Sequence, residues 1–447
     1  MDQVIPSLAQ LLDPFRGCFR QEAFLNFQQV TVAWLLCPGR RTLSEVWQVC
    51  SLRSRRHWTA VYHLFAYAKW DWDELGAILC LLVLTHLVPF GPIWIVIDDT
   101  LCHKRGRRVA FGGFFLDPVL SSKSRKVFRY GLNYVVLGLA VRLSFRPDRH
   151  HCLPVLWRVF RKKGTAGHRK RTELAAEMAR LVADLAPLRE VRLVCDNAYV
   201  NASVLRDRPA NLELIGPLSM RAALHELPTP RQKGQRGPQR KKGARLPAPK
   251  EMFEDRKRYR PTWSRLCSPR GEKELRVQEV GPLLWYCACK SQPVRVVLVR
   301  DPEGSWQDVA LLSTDVRLSA AEVIQGYARR WSIEVTFHDS KQYLGLQDPQ
   351  VWCQGSVERA HPMAWFCYSL TLLWYASHGE EHESPRRERP WYHWAIRPAF
   401  AEMLGTLRLA SWRGRYSAVC GDGSGQPRSA ELLETLDSLL HCLAAVR

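Results

Sequence analysis

Three carboxylates stand where this sequence could use them for chemistry: Asp98, Asp196 and Glu334. Asp98 lies toward the end of the apolar run "IWIVIDDT" (Ile93–Thr100), which has the length and composition of a buried strand. Asp196 stands near the end of a second such strand, in "VRLVCDNAYV" (Val191–Val200), and Glu334 lies in the helical stretch "YARRWSIEVTFHDSK" (Tyr327–Lys341). Converging carboxylates with few other catalytic groups suit hard cations such as Mg²⁺, which take oxygen ligands and keep open water positions. Two such ions about 3.5–4 Å apart can activate a water or a 3′-hydroxyl and stabilise the leaving oxygen of a phosphodiester. Each acid alone reads most simply as a cap or an ion-pair partner. It is their joint pattern that carries information.

The company Glu334 keeps adds to that pattern. At about 100° per helical residue, Arg330 lies about −60° from Tyr327 around the axis, Glu334 about −20° and Lys341 about −40°. Four side chains of different chemistry thus share one narrow stripe over roughly four turns. A surface helix laced by i, i+4 charge pairs is the plainer alternative. His338 falls on the same stripe; a structural role is its simpler reading, substrate contact the other.

The elements that must position these residues belong to a folded, strongly basic chain of 447 residues, long enough for two to four cores. Hydrophobic residues make up 46% of it and 17 tryptophans are present, which excludes a disordered protein. A net charge of +22 implies a polyanionic partner, nucleic acid before an anionic membrane surface. The start, "MDQVIPSLAQLLDPF", lacks a basic region followed by an apolar run, and "ILCLLVLTHLVPFGPIWIVIDD" (Ile78–Asp99) is broken by His86, Pro89 and Pro92. It reads as a helix end, a turn and a strand, so a soluble protein without membrane association is expected. The 14 cysteines are dispersed without a C-x-x-C; Cys287 and Cys289 are spaced for a strand, and core thiols are expected rather than a zinc site.

Residues from about Gln21 to Leu84 are helical in pattern, with a capping box at Thr42 and Glu45. Arg53, Arg55, Arg56 and His57 form a basic run there, either a DNA-contacting head or a surface turn. After the first acidic strand, "NYVVLGLAVRLSF" (Asn133–Phe145) reads as a strand and "TELAAEMARLVADLA" (Thr172–Ala186) as an amphipathic helix with Thr172 as candidate cap. Strand, strand, helix, strand with acids at strand ends is a mixed α/β core, of the kind that places its site there. His103, Lys104 and Arg105, just past the first acid, could touch DNA but read more simply as a solvated loop. Between Arg221 and Arg276, 17 Lys and Arg face 6 Asp and Glu. The segment "RQKGQRGPQRKKGARLPAPK" (Arg231–Lys250) holds too much Gly, Pro and charge for a packed core. Its flanks, "LLWYCACK" and "VRVVLVR", look like strands, so a β-rich insertion is expected whose Arg240, Lys241 and Lys242 could neutralise phosphates. "DVALLSTD" (Asp308–Asp315) resumes the core. A charged linker, "HGEEHESPRRERP", and two helical stretches follow, the last being Ser429–Val446.

With these residues in place the chain resembles the DDE transposases of bacterial insertion sequences, specifically the IS4-like superfamily and most closely its IS701-like branch. The family signature, Tyr, two residues, Arg, three residues, Glu, six residues, Lys, is met by Tyr327, Arg330, Glu334 and Lys341. Asp98 with Thr100 matches its D-x-T, and Asp196 with Tyr199 its D-x-x-Y; the D-x-T match favours Asp98 over the adjacent Asp99, since alternation along a strand directs only one of the two at the metals. The resemblance covers roughly Ile93 to Leu370.

It implies an RNase H-like catalytic core in which Asp98, Asp196 and Glu334 bind two Mg²⁺ ions, with Mn²⁺ as a substitute, and in which Tyr327, Arg330 and Lys341 hold DNA phosphates. It also implies double-stranded DNA partners, both terminal inverted repeats and target, a homodimer in the synaptic complex, and a bacterial cytoplasmic, nucleoid-associated location. Relatives that close a DNA hairpin carry a Trp just before the strand leading into the signature helix, where this chain has Ala310, with Trp306 four residues earlier.

The expected layout is a helical DNA-binding region over 1–90, the first part of the core over 91–210 and the basic β-rich insertion over 211–307. The second part of the core with the signature helix follows over 308–378, then a helical C-terminal region over 379–447. Arg55 and Arg56 are the candidate DNA contacts of the first region. The expected activity is cleavage and joining of phosphodiesters at transposon ends. Rival readings are a related metal-dependent nuclease without strand transfer and a domesticated, non-catalytic DNA-binding protein.

Overall fold

Helices come first along the chain: α1 (Pro6–Leu12), α2 (Gln21–Leu36), α3 (Leu43–Val49), α4 (Thr59–Ala66) and α5 (Trp72–Leu87). They are seen in a computed structural model, which describes residues 4–50, 56–122, 124–230, 238–268, 271–385 and 397–420, with Leu443. Of the capping box expected at α3 the N-cap half is seen, the Thr42 hydroxyl accepting the Glu45 amide at 3.3 Å. Asp71 caps α5 in the same way, through the amides of Asp73 and Glu74. The turn after α5 delivers the chain into β1 (Ile93–His103).

A ten-stranded mixed sheet organises the rest. β2 (Gly113–Leu116), β3 (Phe128–Leu143) and β4 (Arg146–Val159) follow β1, then α6 (Arg171–Leu185), β5 (Val191–Cys195), α7 (Ala202–Leu205) and β6 (Leu212–Leu218). β3 pairs antiparallel with β1 and on its other side with β2 and β4, while β5 joins β1 in parallel and β6 joins β5 in parallel. The insertion contributes α8 (Pro249–Glu254), β7 (Thr262–Ser268), β8 (Gly271–Leu284), α9 (Tyr286–Cys289) and β9 (Pro293–Arg300). β10 (Val309–Ser313) then lies between β6 and β9, so the insertion strands continue the core sheet rather than forming a sheet of their own.

α10 (Ala320–Ala328), α11 (Trp331–Tyr343), α12 (Gln354–Ala360), α13 (Met363–His378) and α14 (Phe400–Cys420) complete the described chain. α13 is buried without interruption from Met363 to Trp374, apolar on all sides as an interior helix must be, and packs on β4. The α/β class and the mixed sheet with helices at both ends agree with the expectation and are compatible with an RNase H-like core.

Several local expectations change. β4 was not anticipated: its Pro147 and Pro154 argue against a central strand, but β4 pairs only with β3, where a missing donor is tolerated. Cys287 and Cys289 lie in the helical turn α9, not in a strand. α6 starts after Lys170, whose amide is taken by the Glu173 carboxylate at 2.9 Å, so Thr172 is inside the helix and not its cap. The helix expected over Ser429–Val446 lies outside the described residues, apart from Leu443.

The largest change concerns the signature stretch, expected as one helix. It is two helical segments, α10 and α11, joined through Arg329 and Arg330. There the amides of Arg329, Arg330, Ser332 and Ile333 bond three residues back. The Ser332 hydroxyl also takes the Arg329 carbonyl at 2.7 Å, a side-chain competitor that tightens the backbone locally.

Candidate active site

β1 sorts its side chains by alternation. Even positions face α10 and α11: a Cβ at Gly326 of α10 would stand 2.9 Å from the Trp94 ring, and the Arg329 guanidinium lies 3.9 Å from a Trp94 ring centroid. Glycine at 326 is therefore what lets α10 approach β1 this closely. Farther along the same face come Asp98 beside Arg330, and buried Cys102, which feels the charge of Lys341. Odd positions, including Asp99, face the other way.

The parallel pairing of β1 with β5 ends at Ile97 and Cys195. The next residue in each chain segment is an acid, Asp98 and Asp196, so the register brings these two residues together where the strands part, and the charge of Asp196 is felt at Asp98. Asp196 then accepts the Ala198 amide and opens a turn closed by the Tyr199 amide on the Asp196 carbonyl at 3.1 Å. From α11, Glu334 reaches the same place through Arg330, whose guanidinium bonds Glu334 and lies 3.4 Å from Asp98. Tyr327, at the end of α10, has its hydroxyl beside Arg330.

Burial pushes the Asp98 carboxyl up to about 7; the charges of Asp99 and Asp196 add to the shift, while the Asp99 amide and Arg330 oppose it. Burial also works against the Arg330 charge, yet Glu334, Tyr327 and Asp98 hold its pKa above the ordinary arginine value. Burial raises the Tyr327 hydroxyl, with Arg330 pulling the other way. Asp98 thus sits in a locally negative, poorly hydrated place with one shared cation for company.

Asp99 is differently placed. Its carboxylate accepts from Asn133 Nδ2 at 2.7 Å and from the Tyr199 hydroxyl at 3.0 Å, with Arg171 Nε at 3.6 Å. Arg171 also donates to Asn133 Oδ1 at 2.8 Å. The Tyr of the D-x-x-Y motif therefore serves Asp99 and does not line the space between Asp98 and Arg330. Sequence reasoning missed this network; the signal available was the buried-strand position of Asn133, a polar residue heading an apolar run.

The remaining sequence candidates are scattered. Lys341 stands two turns beyond Glu334 on α11. Arg56 is ion-paired with Glu22 of α2, and Arg55 lies outside the described residues. Arg240, Lys241 and Lys242 are exposed on a strip that hydrogen-bonds to residues 224–226, and the Lys242 ammonium lies 5.7 Å from the Tyr286 ring centroid. His338 is exposed with Nδ1 3.1 Å from Asp339. Trp306 is half-exposed under the Lys273 ammonium, in a loop organised by Asp301.

The donor set suits a divalent cation in chemistry: carboxylate oxygens from three elements, one of them an acid whose burial disfavours its charge. As they stand, the described residues include no group of three or more His, Cys, Asp or Glu side chains arranged to hold an ion. The Arg330 guanidinium contacts both Asp98 and Glu334.

The mixed α/β sheet with helices at both ends is compatible with an RNase H-like nuclease core. The chain belongs to the DDE superfamily endonucleases, whose family model matches residues 14–280. The matched span contains Asp98 and Asp196, and Glu334 lies beyond it. No curated protein matches the chain. Membership implies a nuclease-type enzyme with a DNA substrate, in a superfamily generally dependent on divalent metal. No described helix is long and apolar enough to cross a membrane.

Proposed function

We propose that this chain is a transposase of the IS4-like superfamily, of the IS701-like branch, which cleaves the ends of a DNA element and joins them to a target. The observation that carries the reading is the meeting of Asp98 with Asp196 by strand register and with Glu334 through Arg330. Those three acids are the proposed ligands of two Mg²⁺ ions, or Mn²⁺ in their place. Bound there, the ions would supply activation of a water or 3′-hydroxyl and stabilisation of the departing oxygen.

The chain's own groups do the positioning. Arg330 offers a planar, forked donor suited to a phosphate, and Lys341 a point charge. Seven residues separate Glu334 from Lys341, about 10 Å along a helix, or roughly three nucleotides of strand. Lys341 thus grips the backbone beyond the bond that breaks, and Tyr327 flanks Arg330 from the other side. Because α10 and α11 both lie along the even face of β1, clamp and acids are held to one strand even though the helix is divided. The helical region over 1–90, with Arg55 and Arg56, and the strip holding Arg240, Lys241 and Lys242 would contact inverted repeats farther away. Two copies would pair two ends in the nucleoid.

The test is Asp196→Asn with end-containing DNA and Mg²⁺. Cleavage is expected to fall by on the order of 10³-fold or more while end binding persists. Unchanged cleavage would refute the assignment. Precut ends separate a transposase, which yields joined product, from a nuclease that yields none.

A further inference from the structure

Past its acids β1 runs on to His103, and there a cleft of about 1210 Å³ opens between the loop after β1, the β2–β3 hairpin and the loop after α11. The residues following Asp98 are not a free, solvated loop. Lys104 is largely buried and its ammonium donates to the carbonyls of Gln347 at 2.7 Å and Pro349 at 2.9 Å, burial lowering its pKa to about 8. Ala110 donates its amide to the Trp352 carbonyl at 2.9 Å, and the Tyr130 hydroxyl donates to the Arg107 carbonyl at 2.9 Å. His103 bonds the buried Asp117 at 2.6 Å. The walls are therefore tied to one another before any ligand arrives.

What the walls present is cationic and aromatic. Arg105, Arg107, Arg108 and Arg129 are exposed on the cleft, and no described carboxylate pairs with any of them. Asp348, the one carboxylate in the lining, has its oxygen on the Arg41 amide at 2.9 Å. Beside the arginines, Phe114, Phe128 and Trp352 are 54%, 60% and 70% exposed. Four guanidinium groups with no described carboxylate partner suit a polyanion. Three large exposed rings among them suit a ligand with flat faces. A duplex offers phosphates but hides its base faces, whereas an unpaired strand offers both.

We propose that this cleft holds an unpaired DNA strand, with phosphates on the arginines and bases against Phe114, Phe128 and Trp352. The inference deepens the transposase reading and rests on it for the position of the strand. Five residues of β1 separate Asp98 from His103, about 17 Å, which corresponds to about five nucleotides from the cut bond. The site thus keeps DNA melted on one side of the chemistry.

The experiment uses the full chain in EDTA, so that cleavage is not read, and follows fluorescence anisotropy of a labelled dT15 and of a 15-base-pair duplex. Phe128→Ala with Trp352→Ala should weaken dT15 binding about 10²-fold and duplex binding about twofold or less. Arg107→Ala with Arg108→Ala should weaken both and flatten the salt dependence by about two in slope. All four side chains are exposed, and unchanged melting temperatures confirm intact folds. Unchanged dT15 affinity in the ring variant, or equal losses on both DNAs, overturns the proposal. A protein that binds dT15 in this ring-dependent way but never cuts element ends refutes the transposase reading and leaves the cleft standing. One that cuts ends with the ring variant indistinguishable on dT15 does the reverse.

Discussion

Asp98 and Asp99 are neighbours on one strand, of one residue type and similar exposure, 19% and 27%, and the two faces of β1 give them opposite circumstances. Asp99 is well partnered: its carboxylate accepts from an amide of β3 and a phenol of the turn after β5, with a guanidinium of α6 3.6 Å away. Asp98 has its neighbour's backbone amide and part of an arginine that it shares with Glu334. A carboxylate held by two hydrogen bonds and a nearby guanidinium reads as a fixture of the fold. One that is buried, crowded by like charge and answered by a single shared cation holds free energy that a ligand can release. On the proposed reading, the difference between the faces, more than burial or residue type, separates a structural acid from a functional one.

Activity gives the sharpest way to break that comparison. Asp98→Asn should reduce DNA cleavage by on the order of 10³-fold or more, and Asp99→Asn by about tenfold or less, measured on folded protein with Mg²⁺ in excess. Equal losses in two variants of intact fold would mean that the Asp99 face also serves the chemistry.

Stability should invert the order. In Asp99→Asn the new amide nitrogen or oxygen meets a mismatched partner, Asn133 Nδ2 among them, and about 2 kcal/mol of unfolding free energy should disappear. Asp98→Asn removes a buried negative charge beside Asp99 and Asp196 and leaves Arg330 its Glu334 partner, so with a chelator present its thermal midpoint should be no lower than that of the parent. A large drop for Asp98→Asn would show that its ion pair with Arg330 holds the fold together, and the contrast between the faces would fail.

Much of this site is legible in sequence because its parts are local patterns. "IWIVIDDT" and "VRLVCDNAYV" announce buried strands with acids near their ends, and the spacing from Tyr327 to Lys341 keeps four groups on one stripe. The choice of Asp98 over Asp99 rests on alternation and the D-x-T match. What sequence could not supply was the pairing. The adjacency of Asp98 and Asp196 depends on which strands lie side by side, nearly 100 residues apart in the chain. The break at Arg329 and Arg330, where backbone amides bond three residues back beside the Ser332 hydroxyl, falls in a stretch whose helical periodicity is unblemished. β4 escaped because two prolines and a run of charges mask an edge strand. The cleft beyond His103 is assembled from the loop after β1, the β2–β3 hairpin and the loop after α11, of which only His103, Lys104 and Arg105 stand out in the sequence, as a solvated loop.

The smallest effect probes the well-partnered face with a single atom. Tyr199 is buried, its ring fixed beneath β1, and its hydroxyl donates to Asp99. Tyr199→Phe keeps the ring and removes the donor, while Asn133 and Arg171 remain at the carboxylate. A charged acceptor that loses one of two hydrogen-bond donors, with a guanidinium still near, should cost about 1 kcal/mol, a shift in Tm of about 1–2 °C in a chain of this size. Cleavage should change by less than about threefold, because this hydroxyl points away from Asp98 and Arg330. If Tyr199→Phe instead lowers cleavage strongly at unchanged Tm, then the D-x-x-Y tyrosine acts on the DNA side, and Asp99 with it.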